Sequence, residues 1–406
     1  MTTRIDATRF LPGEGDPIED ASIVIDGASI SWVGPTAEAP DAETVISTET
    51  VMPGMWDAHA HFLGLTAANL ELLAGMAPQA AILRSLPDMK AILNAGFTSV
   101  REVGGHGTYL AEAVEAGIAP GPWIYAAGAP LSQTGGHADL HGLPVDVVDG
   151  VFERHIGSPT VADGADDCRR LVRRQLRLGA RVIKVCASGG VMSQIDHPKH
   201  QQFSDEELET IVEEAARAER VVAAHCHGKP GIMAALRAGV KTIEHGSHLD
   251  VEAAKAMADS GAILVPTRFV VQHLVDQGLE IGMPDYAFKK INDIAERHSQ
   301  AMQTAISYGV TIAAGTDIFM PGAAGRNGEE LGHLVDAGLS PVQAIEAATA
   351  TGPLTLGPQA PEAGRLIEGY DADVICVTGD PTENISILAD SDNVSHVLQR
   401  GTLVKG

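Results

Sequence analysis

The sequence predicts an α/β fold, a (β/α)8 TIM barrel accompanied by a small β-sandwich domain that both termini build. Three observations carry this expectation. Apolar strand-like segments alternate with longer helical stretches through the middle of the chain, and both ends carry short strands. Histidine and aspartate fall at the carboxyl ends of the middle strands, and a lysine lies within one. The implied division is a composite β-sandwich domain over 1–52 and 360–406 and a barrel over 53–359.

Taken in order, residues 22–27 and 30–34 run apolar or alternate between turn residues, as short antiparallel strands do. The same texture returns at 372–377, 394–398 and 401–404, so the two ends are expected to join. Between them lie eight strand candidates, at 51–59, 98–103, 123–128, 181–186, 221–226, 242–245, 263–266 and 310–317. Helical segments separate most of them. The clearest opens at Ser204, with Glu207 three residues on as in a capping box, and continues through Ile211, Val212, Ala215 and Ala216. The glycine-rich stretch at 322–325 reads as a flexible loop, a possible lid at a pocket rim.

Composition narrows the function. With 406 residues, 45% of them hydrophobic, the chain can bury a large core, and one catalytic unit is the natural expectation. The formal net charge of −25 repels nucleic acid phosphates and anionic membranes, so neither is expected as a partner. Because this charge is spread along the chain, it reads as a hydrated surface with no further meaning. The four cysteines, Cys168, Cys186, Cys226 and Cys376, form no close pair and suit a reducing cytoplasm. The stretch from Met1 to Asp6 lacks the apolar run of a signal peptide, and no membrane-length apolar segment follows, so a cytoplasmic, soluble protein is expected.

The most specific local signal is Pro53-Gly54-Met55-Trp56-Asp57-Ala58-His59-Ala60-His61, because alternate strand residues point the same way and can offer two imidazoles to one metal. A His-x-His alone is as readily a structural pair, so matching ligands on other strands decide. Lys184 lies in the apolar run Val182-Ile183-Lys184-Val185-Cys186, where a charged amine is costly unless it pairs or changes its chemistry. A buried amine with a depressed pKa can add carbon dioxide to become a carbamate, a two-oxygen anion able to bridge two cations. The competing reading is a lysine snorkelling from the strand end. His225, His245 and Asp317 each end a predicted parallel strand, the edge where barrel active sites form.

At this point the sequence resembles the amidohydrolase superfamily, over nearly the whole chain. That family places His-x-His on strand one, a carboxylated lysine on strand four, histidines on strands five and six, and aspartate on strand eight; all six positions match here. The resemblance implies that His59, His61 and Asp317 hold one divalent metal and His225 and His245 a second. N6-carboxylated Lys184 and a water or hydroxide would bridge them. It further implies that Asp317 takes the proton of the attacking water and delivers it to the leaving nitrogen. Zinc suits such a mixed ligand set best, with manganese, iron or cobalt as substitutes.

Within the superfamily the chain is similar to Xaa-Pro dipeptidases (prolidases) and related ochratoxin-hydrolysing amidases. Three stretches carry this: Leu131-Ser132-Gln133-Thr134-Gly135-Gly136-His137-Ala138-Asp139, the run from Lys184 to Ser193, and His225-Cys226-His227-Gly228. The resemblance implies that His137 reaches the substrate carbonyl or developing oxyanion; a loop histidine packed on the rim is the competing reading. His227 shares a strand face with His225 and could meet a substrate carboxylate, while some relatives carry tyrosine near this position. Arg268, beyond strand seven, is a further candidate for that carboxylate, against a plain surface arginine. Cys226 should face the outer helices, and Ser188-Gly189-Gly190 lacks the pattern of a phosphate cradle.

The expected activity is hydrolysis of an amide bond in a dipeptide (Xaa-Pro-like) or N-acyl amino acid, a small molecule with a free carboxylate. The alternatives are a carbamate, aryl urea, ester or cyclic amide on the same centre, a mononuclear deaminase, or a catalytically silent barrel. Lys184 argues against the deaminase, and the complete ligand set against the silent barrel. Barrel hydrolases of this kind self-associate, so a homo-oligomer is expected.

Overall fold

The computed structural model describes residues 2–154, 157 and 160–406. Seven strands from the two ends of the chain form one sheet, in the spatial order Thr402–Lys405, Val394–Gln399, Val374–Val377, Thr44–Pro53, Thr2–Phe10, Ile18–Asp26 and Ser29–Pro35. Thr44–Pro53 stitches the termini together. It runs parallel to Thr2–Phe10, with Ile5 opposite Ile46, and antiparallel to Val374–Val377, with Val51 opposite Cys376. Ile5, Ile23, Ile25, Val51, Val374 and Cys376 meet in its core. Thr2–Phe10 is a strand that composition conceals, because Ile5, Ala7 and Phe10 are its only buried residues among polar neighbours.

The eight barrel strands, in chain order, are Met55–Ala60, Phe97–Glu102, Trp123–Ala126, Ile183–Cys186, Val222–Cys226, Thr242–His245, Ile263–Val265 and Thr311–Ile312. Neighbours pair in parallel through the first three and through the last five. The Arg181 N–H donates to Ala126 O at 2.8 Å between the third and fourth. The eighth returns to the first through Ala58 N–H to Ala314 O at 2.9 Å and Asp317 N–H to His59 O at 2.7 Å. Closing the sheet on itself satisfies the edges that an open sheet leaves unpaired.

Two strands differ from expectation in extent. Residues 51–53 belong to the terminal sheet, and the chain passes into the barrel at Gly54. A Cβ there would lie 2.1 Å from Thr98 Oγ1, so the crossing demands glycine. The eighth strand keeps a regular ladder only at Thr311–Ile312 and continues toward Asp317 through single hydrogen bonds.

Helices cover the outside. Asp205–Ala216 opens with the expected reciprocal cap between Ser204 and Glu207. Two helices follow the seventh strand, Arg268–Gln277 and the 23-residue Asp285–Ser307. The second buries Ala287, Ile291, Ile294, His298, Ala301 and Ala305, the spacing of one helical face. Residues 322–325 do not form a lid at the central cavity: Ala324 and Gly325 line a separate cleft with Ala91, Asn94 and Ser391. Among the described residues no helix is long and apolar enough to cross a membrane.

Candidate metal centre

The carboxyl ends of the barrel strands open into one cavity whose lining includes His59, His61, Lys184, His225, His245 and Asp317. The six residues expected at the centre therefore meet in one place. His59 and His61 lie two apart on the first strand, so both rings emerge on one side. Their Nε2 atoms stand 3.5 and 3.1 Å from Asp317 Oδ1. The His225 and His245 rings meet edge to face with centroids 4.6 Å apart, and His245 approaches His59 at 5.1 Å. Among the described residues, two sets of three donor atoms fall within 4.8 Å of one another: His59, His245 and Asp317, and His225, His227 and His245. The place of His227 in the second set was not anticipated, since sequence reasoning put it against substrate.

Strand alternation alone does not build this arrangement. Glu244 and His245 are neighbours in sequence, yet both face the barrel interior. A left-handed backbone at His245, φ +70°, turns its ring inward after the regular strand has placed Glu244 there. Asp317 and Thr267 are left-handed too, at φ +58° and +53°. Each such residue costs about 1–3 kcal/mol, so three at one barrel mouth mark a site that its surroundings hold in place.

Those surroundings can be named. His59 Nδ1–H donates to Glu244 Oε2 at 2.7 Å and His61 Nδ1–H to the Gly104 carbonyl at 2.7 Å, which leaves both Nε2 lone pairs beside Asp317. His245 Nδ1 bonds Thr267 Oγ1 at 2.7 Å, His227 Nδ1 bonds Ser247 Oγ at 2.8 Å, and His225 Nε2–H reaches the Gly189 carbonyl at 3.3 Å. Each ring is anchored through one nitrogen and keeps the other free, the arrangement that orients imidazoles for a metal.

Beneath them, Arg101 Nη2 donates to both Glu244 oxygens at 2.7 and 2.8 Å, and its other nitrogens reach Ala58 O at 2.6 Å and Thr242 Oγ1 at 2.8 Å. Asp57 accepts from the backbone N–H groups of His59 and Thr316 at 3.0 and 3.1 Å and from Asn327 Nδ2 at 2.6 Å, tying the first strand to the loop after the eighth. Sequence reasoning missed Asp57, Arg101 and Glu244. A signal exists, because charged residues inside apolar strands must find partners. Arg101→Met is expected to cost about 3–5 kcal/mol by stranding the Glu244 carboxylate in the barrel. Urea unfolding of the metal-free protein measures this, and a loss below about 1 kcal/mol would contradict it.

Lys184 is 3% exposed and its Nζ has no hydrogen-bond partner. Burial holds this amine below its ordinary range, against the pull of Glu244, Cys186 and Asp317. Burial and the neighbouring rings likewise keep His225, His227 and His245 well below the usual histidine range, in the neutral form that metals bind. Burial also raises the Asp317 carboxyl, but His59, His61 and Lys184 outweigh it and hold that group low, as a carboxylate. Neutral imidazoles, an ionised carboxylate and an unpartnered buried amine form a donor set that fits divalent transition metals.

The amidohydrolase family profile matches residues 50–404. The chain belongs to the amidohydrolase family. Ochratoxinase of Aspergillus niger is 42% identical over 420 residues, an alignment spanning 100% of this chain and 87% of that protein. Its crystal structure superposes with a TM-score of 0.93 at 40% identity, over 100% of this chain and 96% of that one. A prolidase crystallised with N-methylphosphonate-L-proline gives a TM-score of 0.94 at 35% identity, over 100% of both chains. This amidohydrolase is therefore an enzyme, a hydrolase acting on amide bonds.

On the substrate side of the amidohydrolase cavity, the His137 ring stacks on His225 with centroids 4.1 Å apart. Its Nδ1 lies 2.8 Å from Ser193 Oγ. Most of the remaining wall is apolar, from Leu63, Val103, Val191, Met192, Val271 and Phe319. Arg268 is not brought to this cavity, nor is it a surface arginine. It is buried at the start of its helix, with Nη1 3.4 Å from the Ala295 carbonyl, because the chain turns away at left-handed Thr267. Cys226 packs into the hydrophobic core as expected, and burial pushes the Cys186 thiol up to about 12, so neither is a ready nucleophile.

Proposed function

We propose that this amidohydrolase is a binuclear enzyme that cleaves the amide bond of a dipeptide or an N-acyl amino acid bearing a free carboxylate. One observation carries the reading: five anchored ligands from four parts of the barrel, His59, His61, His225, His245 and Asp317, surround the orphaned Lys184 amine. Burial favours the uncharged form of the Lys184 amine, which could add carbon dioxide and shed a proton; the resulting carbamate would join His59, His61 and Asp317 and, on the other side, His225 and His245 in holding two divalent ions. Two such ions, zinc by the chemistry of the donors, would supply a water of lowered pKa and polarise the scissile carbonyl. Asp317 would take a proton from the attacking water and pass it to the leaving nitrogen. His137 stands over the carbonyl oxygen, His227 meets the carboxyl-side group, and the apolar wall takes the side chain. The relatives support this substrate class, since one is named an ochratoxinase and another a prolidase. We further infer a homo-oligomer, and a cytoplasmic location in keeping with four buried, unpaired cysteines.

The test joins metal analysis of protein purified with bicarbonate to hydrolysis of a panel of Xaa-Pro and N-acyl amino acid substrates. Close to two divalent ions per chain together with amide cleavage is the expected result. A single ion, or activity confined to carbamates and ureas, would overturn it.

A further inference from the structure

The loop after the fourth barrel strand and the helix Asp285–Ser307 are joined by one side chain. Lys290 Nζ donates to the carbonyls of Gly190, Ser193 and Asp196 at 3.1, 2.7 and 2.7 Å and approaches Asp196 Oδ1 at 3.2 Å. Three carbonyls of a seven-residue loop thus converge on one ammonium, which draws residues 190–196 into a ring against the helix. Tyr286 adds a second tie from the same helix, Oη–H to Met192 O at 3.1 Å.

Inside that ring, the Ser193 hydroxyl donates to Asp196 Oδ1. The other Asp196 oxygen accepts from Gly190 N–H at 2.9 Å and from Gln202 Nε2 at 3.2 Å. The side chain of Asp196 is only 4% exposed and is surrounded by donors, so it stays an acceptor. Ser193 Oγ, held in place by Asp196, lies 2.8 Å from His137 Nδ1. Gln202 also receives the His137 backbone N–H on Oε1 at 3.0 Å, so ring and backbone are held by the same cluster.

We propose that Lys290, Asp196 and Ser193 form a positioning array that fixes the His137 ring in the cavity through its Nδ1 contact with Ser193. The array rests on the role given to His137 under the proposed function, and it extends that role to residues that line no part of the reacting centre. Lys290 and Asp196 act entirely through Ser193 and His137. The same clamp sets the substrate wall, because Val191 and Met192 ride on the loop and Ile291 follows Lys290 on the helix.

A double-mutant cycle on the metal-loaded enzyme tests the array. Lys290→Met and Ser193→Ala are each expected to lower kcat about 10–100-fold with metal content unchanged, the loss that a displacement near 1 Å produces. In a His137→Ala background each should then cost less than about threefold, because a residue acting through His137 has nothing left to position. Losses that multiply in full in that background overturn the array while leaving His137 in its role. A His137→Ala enzyme with unchanged kcat overturns the role itself, and the array with it. Ser193→Ala keeps the test valid should Lys290→Met loosen the fold.

Discussion

Lys184→Ala is expected to lower kcat by about 10²–10³-fold, because the two ions lose the anion they share and with it several kcal/mol of charge stabilisation. A short carboxylic acid such as formate or propionate should restore part of that activity, since its two oxygens can enter the space the shortened side chain leaves. Rescue separates a ligand from a structural lysine: an acid in solution cannot repair packing. The stability of the metal-free protein should move the other way. Its buried amine has no hydrogen-bond partner, so Lys184→Met is expected to add about 1–3 kcal/mol to unfolding. Loss of activity beside gain of stability is the signature of a group kept for function. An Ala variant with full activity and two ions would falsify the carbamate reading.

Asp317→Asn is expected to lower kcat by about 10²–10⁴-fold, the range for removing a general acid–base group. Asparagine is the right probe here. The backbone at Asp317 is left-handed, φ +58°, a conformation that asparagine accepts and alanine resists, so the strand end should keep its shape. The amide retains an oxygen at the position where Asp317 Oδ1 lies 3.1 Å from His61 Nε2, but no longer shuttles a proton. Steady-state kinetics with metal content measured on the same sample reads the result. A variant that holds two ions and keeps kcat within about threefold of the parent would remove Asp317 from proton transfer.

Much of the centre was legible in one dimension. His59 and His61 are placed together by the two-residue period of a strand. His225, His245 and Asp317 are recognisable as polar residues at the carboxyl ends of predicted strands, and Lys184 as a charge inside an apolar one; both are properties of local pattern. The eight strands themselves follow from apolar runs, apart from the eighth, whose regular ladder stops at Ile312, and the point near Gly54 where one run serves two sheets. Apolar continuity cannot mark such a handover, because both sheets bury the residues they take.

What only the tertiary structure decided is which of these residues share a partner. Glu244 is one residue from a ligand in sequence, but its role depends on Arg101, 143 positions away, and on His59, 185 positions away. Lys290 reads as a surface lysine on a helix until the loop 94 to 100 residues before it folds against that helix. Arg268 reads as a surface arginine or a cavity cation until the fold buries it beyond the left-handed turn at Thr267, where it is neither. The periodicity of a segment records which face is buried, and that is enough to name strands and candidate ligands. Electrostatic and hydrogen-bond partners come from other segments, so the anchoring of the centre exists only once the barrel has closed.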